Sequence, residues 1–204
     1  MRYSMVLVAA LTVLPVAASA QSALTIYGGY RGGGGFDDAV TGRSIDLKET
    51  GSVAASIDLP LDARRQYQFF VSHQKSKFEV AAQPGASAAA IDGQSVSVTY
   101  FHIGGTLFIE GQVGRGAYVV GGLGATLFSP GLNGYSDEWR PSANIGIGYE
   151  WPLARGVSLR FEARGYLTLV NSEGGMFCSG GCVVSIKGDS FTQGEALLGL
   201  SMRF

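Results

Sequence analysis

The chain has 204 residues, with 15 Lys and Arg against 16 Asp and Glu for a net charge of −1. That balance leaves no basic field to recruit nucleic acid, and the length is that of one domain. Apolar residues make up 46% of the chain, yet no run after the first twenty residues is long enough for a membrane-crossing helix.

The first segment reads as an export signal. Arg2 supplies a short positive region, residues 5–16 are apolar, and Ala18-Ser19-Ala20 is a small-x-small cleavage site. Cleavage after Ala20 divides the chain into a signal peptide, 1–20, and a mature domain, 21–204.

From there the apolar residues recur at every second position, the period of a β-strand rather than a helix. The first strand spans about 24–31, with Leu24, Ile26, Gly28 and Tyr30 on one face, and ends in the glycines 32–35 and a polar loop over 37–46. The second, about 51–59, turns Val53, Ala55, Ile57 and Leu59 outward and Ser56 and Asp58 inward. A turn at 60–65 follows, since proline does not continue a central strand.

The third strand, about 67–80, sets Tyr67, Phe69 and Val71 against Gln68, Ser72 and Gln74, before a small-residue loop at 81–94. The fourth covers about 95–109. Val96 and Val98 fall out of phase with Phe101, Ile103 and Leu107, which predicts a bulge or an early strand end. After a glycine turn at 111–116, the fifth strand runs over about 117–128. A loop at 129–141 carries Tyr135, Asp137, Glu138 and Trp139.

The sixth strand puts Ala143, Ile145, Ile147, Tyr149 and Trp151 outward, with Asn144 and Glu150 inward, and 152–156 turns the chain. In the seventh, Leu159, Phe161, Ala163, Gly165, Leu167 and Leu169 alternate with Arg160, Glu162, Arg164, Tyr166 and Thr168. A cysteine loop at 171–189 leads to the last strand, where Ala196, Leu198, Leu200, Met202 and Phe204 alternate with Glu195, Leu197, Gly199, Ser201 and Arg203.

Eight strands alternate between short and long connections, with a lipid-facing apolar side and a polar lumen. That is an all-β, eight-stranded, antiparallel up-and-down transmembrane barrel. Tyr67, Trp151 and Phe204 then fall at the short-turn rim as an aromatic girdle. Cys178 and Cys182, separated by Ser179-Gly180-Gly181, predict a disulfide in an exported chain. A metal site is the alternative, but two thiols with no nearby His fall short of four ligands.

The signal segment, the eight amphipathic strands and the terminal Leu200-Ser201-Met202-Arg203-Phe204 resemble the small outer-membrane β-barrels of Gram-negative bacteria, the OmpA/OmpX/OmpW-like superfamily. The resemblance implies residence in the outer membrane among its lipids. It also implies that Leu200, Met202 and Phe204 form the signal read by the barrel-assembly machinery.

The lumen of such a barrel is barely wider than its own side chains. Arg31, Glu150, Arg160, Glu162, Arg164, Glu195 and Arg203 are expected to form a paired polar network inside it, because buried charges persist only when matched. Ser72 and His73 are adjacent on a strand and point apart, so they form no nucleophile–base pair. The glycine run 28–35 lacks the Gly-Lys-Ser/Thr ending of a phosphate loop.

The sequence therefore predicts a structural or interaction role for a monomer, with no catalytic, cofactor-binding or metal-binding residues. Alternatives are a narrow channel for small solutes, a lipid A-modifying enzyme, and a soluble periplasmic barrel of lipocalin type with inverted polarity.

Overall fold

The computed structural model describes residues 22–38, 44–80, 92–131, 136–170, 175–178, 182–187 and 190–204. The signal segment, its cleavage site and most of the 81–94 loop lie outside these residues. Twelve strands occur among them: β1 (Ala23–Gly33), β2 (Gly35–Asp38), β3 (Ser44–Leu47), β4 (Thr50–Pro60), β5 (Arg65–Val80), β6 (Ser95–Phe108), β7 (Gly116–Pro130), β8 (Glu138–Ala154), β9 (Val157–Leu169), β10 (Gly175–Cys178), β11 (Cys182–Lys187) and β12 (Ser190–Arg203).

Eight of them close a barrel in the order β1-β4-β5-β6-β7-β8-β9-β12, every pair antiparallel, with β12 returning to β1. The seam runs from Ala23 opposite Arg203 to Gly33 opposite Gln193. Closure leaves no unpaired edge at membrane depth, which a bilayer demands of a sheet. The outward positions form an exposed apolar surface that includes Ile26, Val53, Ile103, Leu123, Ile145, Ile147 and Leu198. Tyr67, Trp151 and Phe204 are exposed near the short turns, as the girdle reading expects.

The predicted loops at 37–46 and 171–189 contain strands of their own. Beyond the barrel's loop end β5 pairs with β3, β3 with β2, β2 with β11 and β11 with β10. These short strands are built on the overhang of β5 rather than on their own periodicity. In the last of these pairs Cys178 stands opposite Cys182 in the backbone register.

Three local expectations are corrected. Strand β6 carries no register shift against β5 or β7, so Val96 and Val98 keep the alternation and point inward, buried. Their apolar character reflects the lining of the loop end, not contact with lipid. Glu138 to Pro141 belong to β8 and pair with β7 before β9 joins at Ser142, so Pro141 faces no partner on its other side. Trp139 accordingly packs on Phe101 at 5.5 Å between ring centroids instead of capping a loop. Finally, β8 continues past Pro152 through a register shift to Ala154. Proline is accommodated at that irregularity.

The turn between β4 and β5 is organised by Asp62. Its Oδ1 accepts the backbone N–H groups of Arg64 and Arg65, each at 2.8 Å, and its Oδ2 takes Arg65 Nε at 2.6 Å. The Arg64 amide, followed by the Arg65 side chain, holds the carboxyl below the usual carboxylate range. A depressed folded pKa means that this contribution is full at neutral pH and fades as pH falls through it. A carboxyl NMR titration should place Asp62 below an ordinary aspartate; an ordinary midpoint would refute the turn geometry.

Candidate functional site

The interior of the barrel is stratified. At the loop end Ile45, Leu47, Phe78, Val96, Val98, Phe128, Val170 and Phe191 form an apolar cluster, with Phe128 edge-on to Phe191 at 5.3 Å. At the short-turn end Phe108, Tyr118 and Val120 form a second one, packed by Val113. Most of the charged groups lie between them, and Glu150 and Arg203 extend the layer to the short-turn rim.

The upper part of this layer centres on Glu195. It forms an ion pair with Arg31 at 3.0 Å, both side chains fully buried, and accepts hydrogen bonds from the Ser72 and Tyr166 hydroxyls. Arg31 and Glu195 are direct partners across the seam, and Glu195 also stands opposite Arg164 on β9. The Arg31 guanidinium lies 4.8 Å from the Tyr100 ring centroid and 5.3 Å from that of Tyr166. Those two rings stack on one another at 4.1 Å. A cation desolvated against aromatic faces gains more than an exposed one.

The middle part centres on Glu162. Arg164 Nε and Nη2 approach its Oε2 at 2.7 and 2.6 Å, and the Tyr27 and Tyr118 hydroxyls donate to its Oε1 at 2.8 and 2.6 Å. Arg164 also lies 3.8 Å over the Phe70 ring. Glycines make room for the tyrosines. A Cβ at Gly148 would stand 2.4 Å from the Tyr118 ring, and one at Gly199 would stand 2.3 Å from the Tyr27 ring.

The lowest part centres on Arg160. It bridges Asp58 at 2.8 Å and Glu150 at 3.0 Å, and Glu150 also binds Arg203 and the Ser158 hydroxyl. Gln68 ties this part to the middle one, donating to Asp58 at 2.7 Å and accepting from Arg164 at 2.8 Å.

All seven predicted lumen residues are thus brought into one layer: Arg31, Glu150, Arg160, Glu162, Arg164, Glu195 and Arg203. The eighth charge, Asp58, lies on β4 opposite Gln68 and was legible only as an inward parity between Ile57 and Leu59. With it the layer holds four arginines and four carboxylates. The charge cancels within the lumen, which is what allows it to stay buried.

Sequence reasoning also missed a contact between His102 on β6 and Ser142 on β8, Nε2 to Oγ at 3.0 Å. The two strands are separated by β7, so no local spacing signals the pair. Among the described residues His102 Nδ1 has no hydrogen-bond partner. Ser72 and His73 point apart as expected, Ser72 to Glu195 and His73 outward to Thr99 at 2.8 Å.

No protein-family model matches the sequence, and no curated protein does either. Solved structures match over almost the whole chain. Neisserial surface protein A is 13% identical, with 90% of this chain and 97% of that one covered and a TM-score of 0.57. The outer-membrane protein AlkL is 16% identical, covers 94% and 95%, and has a TM-score of 0.59. OprG from Pseudomonas aeruginosa is 12% identical, covers 91% and 97%, and has a TM-score of 0.50.

The closed eight-stranded sheet, apolar outside and polar inside, is that of an integral outer-membrane β-barrel. Within that class the chain has the fold of the small OmpA/OmpX-like barrels.

Proposed function

We propose that this barrel is closed to solutes and serves a structural or interaction role, with its loop end as the contact surface. The observation that carries this reading is the filled lumen: a charge-balanced layer of paired side chains, covered at the loop end by an apolar cluster. A conducting path would need a continuous gap through groups that are each bonded to one another. The short turns face the periplasm and the long connections the outside, following the usual asymmetry of such barrels. No catalysis is assigned, because the His102–Ser142 contact is enclosed in the lumen, away from lipid.

By resemblance, β12 with Leu200, Met202 and Phe204 on its lipid face also carries the assembly signal. The barrel acts as a monomer.

Planar-bilayer recording of the refolded protein tests the closed lumen. No stable conductance is expected, and a large, stable one refutes the reading.

A further inference from the structure

We propose that residues 109–115 form a strap that shuts the barrel's short-turn mouth, with Arg203 as its latch, and that the strap controls water entry to the lowest row of the lumen. These residues join β6 to β7 and make the longest of the three short turns, the others being 61–64 and 155–156. The strap is closed on itself. The Ile109 amide donates to the Ala117 carbonyl at 2.9 Å, and the Arg115 amide to the Gln112 carbonyl at 3.1 Å.

Three contacts hold it down. The Val113 amide donates to the Ala63 carbonyl of the β4–β5 turn at 2.9 Å. The Val113 side chain packs against Phe108, Tyr118 and Val120 inside the mouth. The third contact is Arg203. Gly114 has a φ of 95°, and a Cβ there would fall 1.9 Å from Arg203 Nη1, 2.0 Å from Cζ and 2.2 Å from Nη2. Distances so nearly equal mean that the planar guanidinium lies face-on against the bare glycine. Its Nη2 also donates to Glu150, whose side chain is fully buried.

The latch crosses the mouth. Around the ring the order β12-β1-β4-β5-β6 places β6 opposite β12, so the strap and Arg203 meet from facing walls. A turn that only joined two neighbouring strands would need no contact with the far wall. The charged residues of the strap, Glu110 and Arg115, are exposed, while Gly114 is buried under the guanidinium.

Behind the latch lies a row of hydroxyls. One inward step along β12 from Arg203 is Ser201, which stands opposite Thr25 on β1 and Ser158 on β9; Thr25 stands opposite Ser56 on β4. All four are buried. Among the described residues Thr25 Oγ1 and Ser201 Oγ have no hydrogen-bond partner, nor have Gln66 Nε2 and Arg203 Nε. Buried polar groups bond to protein or to ordered water, so this row takes water as its ligand. The strap is the way in. Above the row, Arg160 with Asp58 and Glu150 stops the path, a division that rests on the closed lumen proposed for the barrel.

The test is thiol accessibility in the folded full chain in detergent, in a Cys178→Ser/Cys182→Ser background, with a small water-soluble methanethiosulfonate. Ser201→Cys should react about tenfold faster once Arg203→Ala or Val113→Ser is added, since local opening sets the rate. Arg203→Ala leaves Glu150 bonded to Arg160 and Ser158, and Val113→Ser leaves the latch itself in place. Ser72→Cys, beyond the Arg160 pairs, should stay slow in every one of these chains. An unchanged rate at Ser201→Cys in either variant overturns the proposal. So does an equal rise at Ser72→Cys, which would mean that the whole barrel has loosened. Conductance separates the two readings: a conducting wild type ends the closed lumen without altering the change expected at Ser201→Cys.

Discussion

Replacing Arg160 with methionine should destabilise the folded barrel by about 3–5 kcal/mol, the cost of leaving a buried ion partner unmatched. Arg160 is fully buried and holds both Asp58 and Glu150, with Gln66 accepting a further hydrogen bond at 3.3 Å. Methionine fills a similar space but leaves two carboxylates in the lumen, with Arg203 as the remaining cation at Glu150. Chemical unfolding from detergent micelles measures the loss. Adding Asp58→Asn and Glu150→Gln to the same chain should recover a large part of it, because neutral amides remove the uncompensated charge. A single variant as stable as wild type would show that the lumen is hydrated enough to solvate those carboxylates, and the closed reading would fall with it.

Gly104→Ala should be, with Gly124→Ala, among the most damaging of the strand glycine substitutions. A Cβ at Gly104 would lie 1.9 Å from the Gly121 carbonyl oxygen and 2.5 Å from Gly122 Cα. Those are backbone atoms of the paired strand and cannot rotate away, so β6 and β7 must separate. Overpacking of this kind costs about 1–3 kcal/mol, and here the upper end is expected because no side chain can yield. Gly28→Ala is the matched control: it sits on the lipid-facing side of β1 with nothing within 4 Å of its Cβ position. Refolding yield and unfolding midpoint should separate the two variants clearly. Equal behaviour would mean that the close approach of β6 to β7 carries no stability.

Much of this architecture was legible because a barrel strand writes its two environments alternately along the chain. Strand β9 is the clearest case: Arg160, Glu162 and Arg164 sit between Leu159, Phe161, Ala163 and Gly165, and the inside–outside assignment needs nothing else. That Arg31 joins the lumen charges of the last two strands also followed, since a closed barrel must join its first strand to its last.

The departures have separate causes. Apolar residues were equated with lipid, and Val96 and Val98 instead line an apolar lumen end. The strands β2, β3, β10 and β11 were invisible because each is short and acquires its pairing from β5 outward, one strand at a time. The His102–Ser142 contact and the role of Asp58 depend on distances across the lumen, which parity alone does not encode. Parity tells which residues point in, not which of them meet.

The charge layer has a consequence for how the molecule forms. Its members come from β1, β4, β8, β9 and β12: β8 and β9 already match Glu150 with Arg160 and Glu162 with Arg164, whereas Asp58, Arg31 and Glu195 find their partners only when β4, β1 and β12 join the ring. A half-formed sheet in the bilayer would present Asp58, Arg31 or Glu195 to hydrocarbon. The Arg31–Glu195 bond exists only once the last strand meets the first. Partly inserted states are therefore penalised in proportion to the charge they strand, and assembly is driven toward an all-or-none closing step. The same charged lumen also acts as a proofreader of the barrel's own completion.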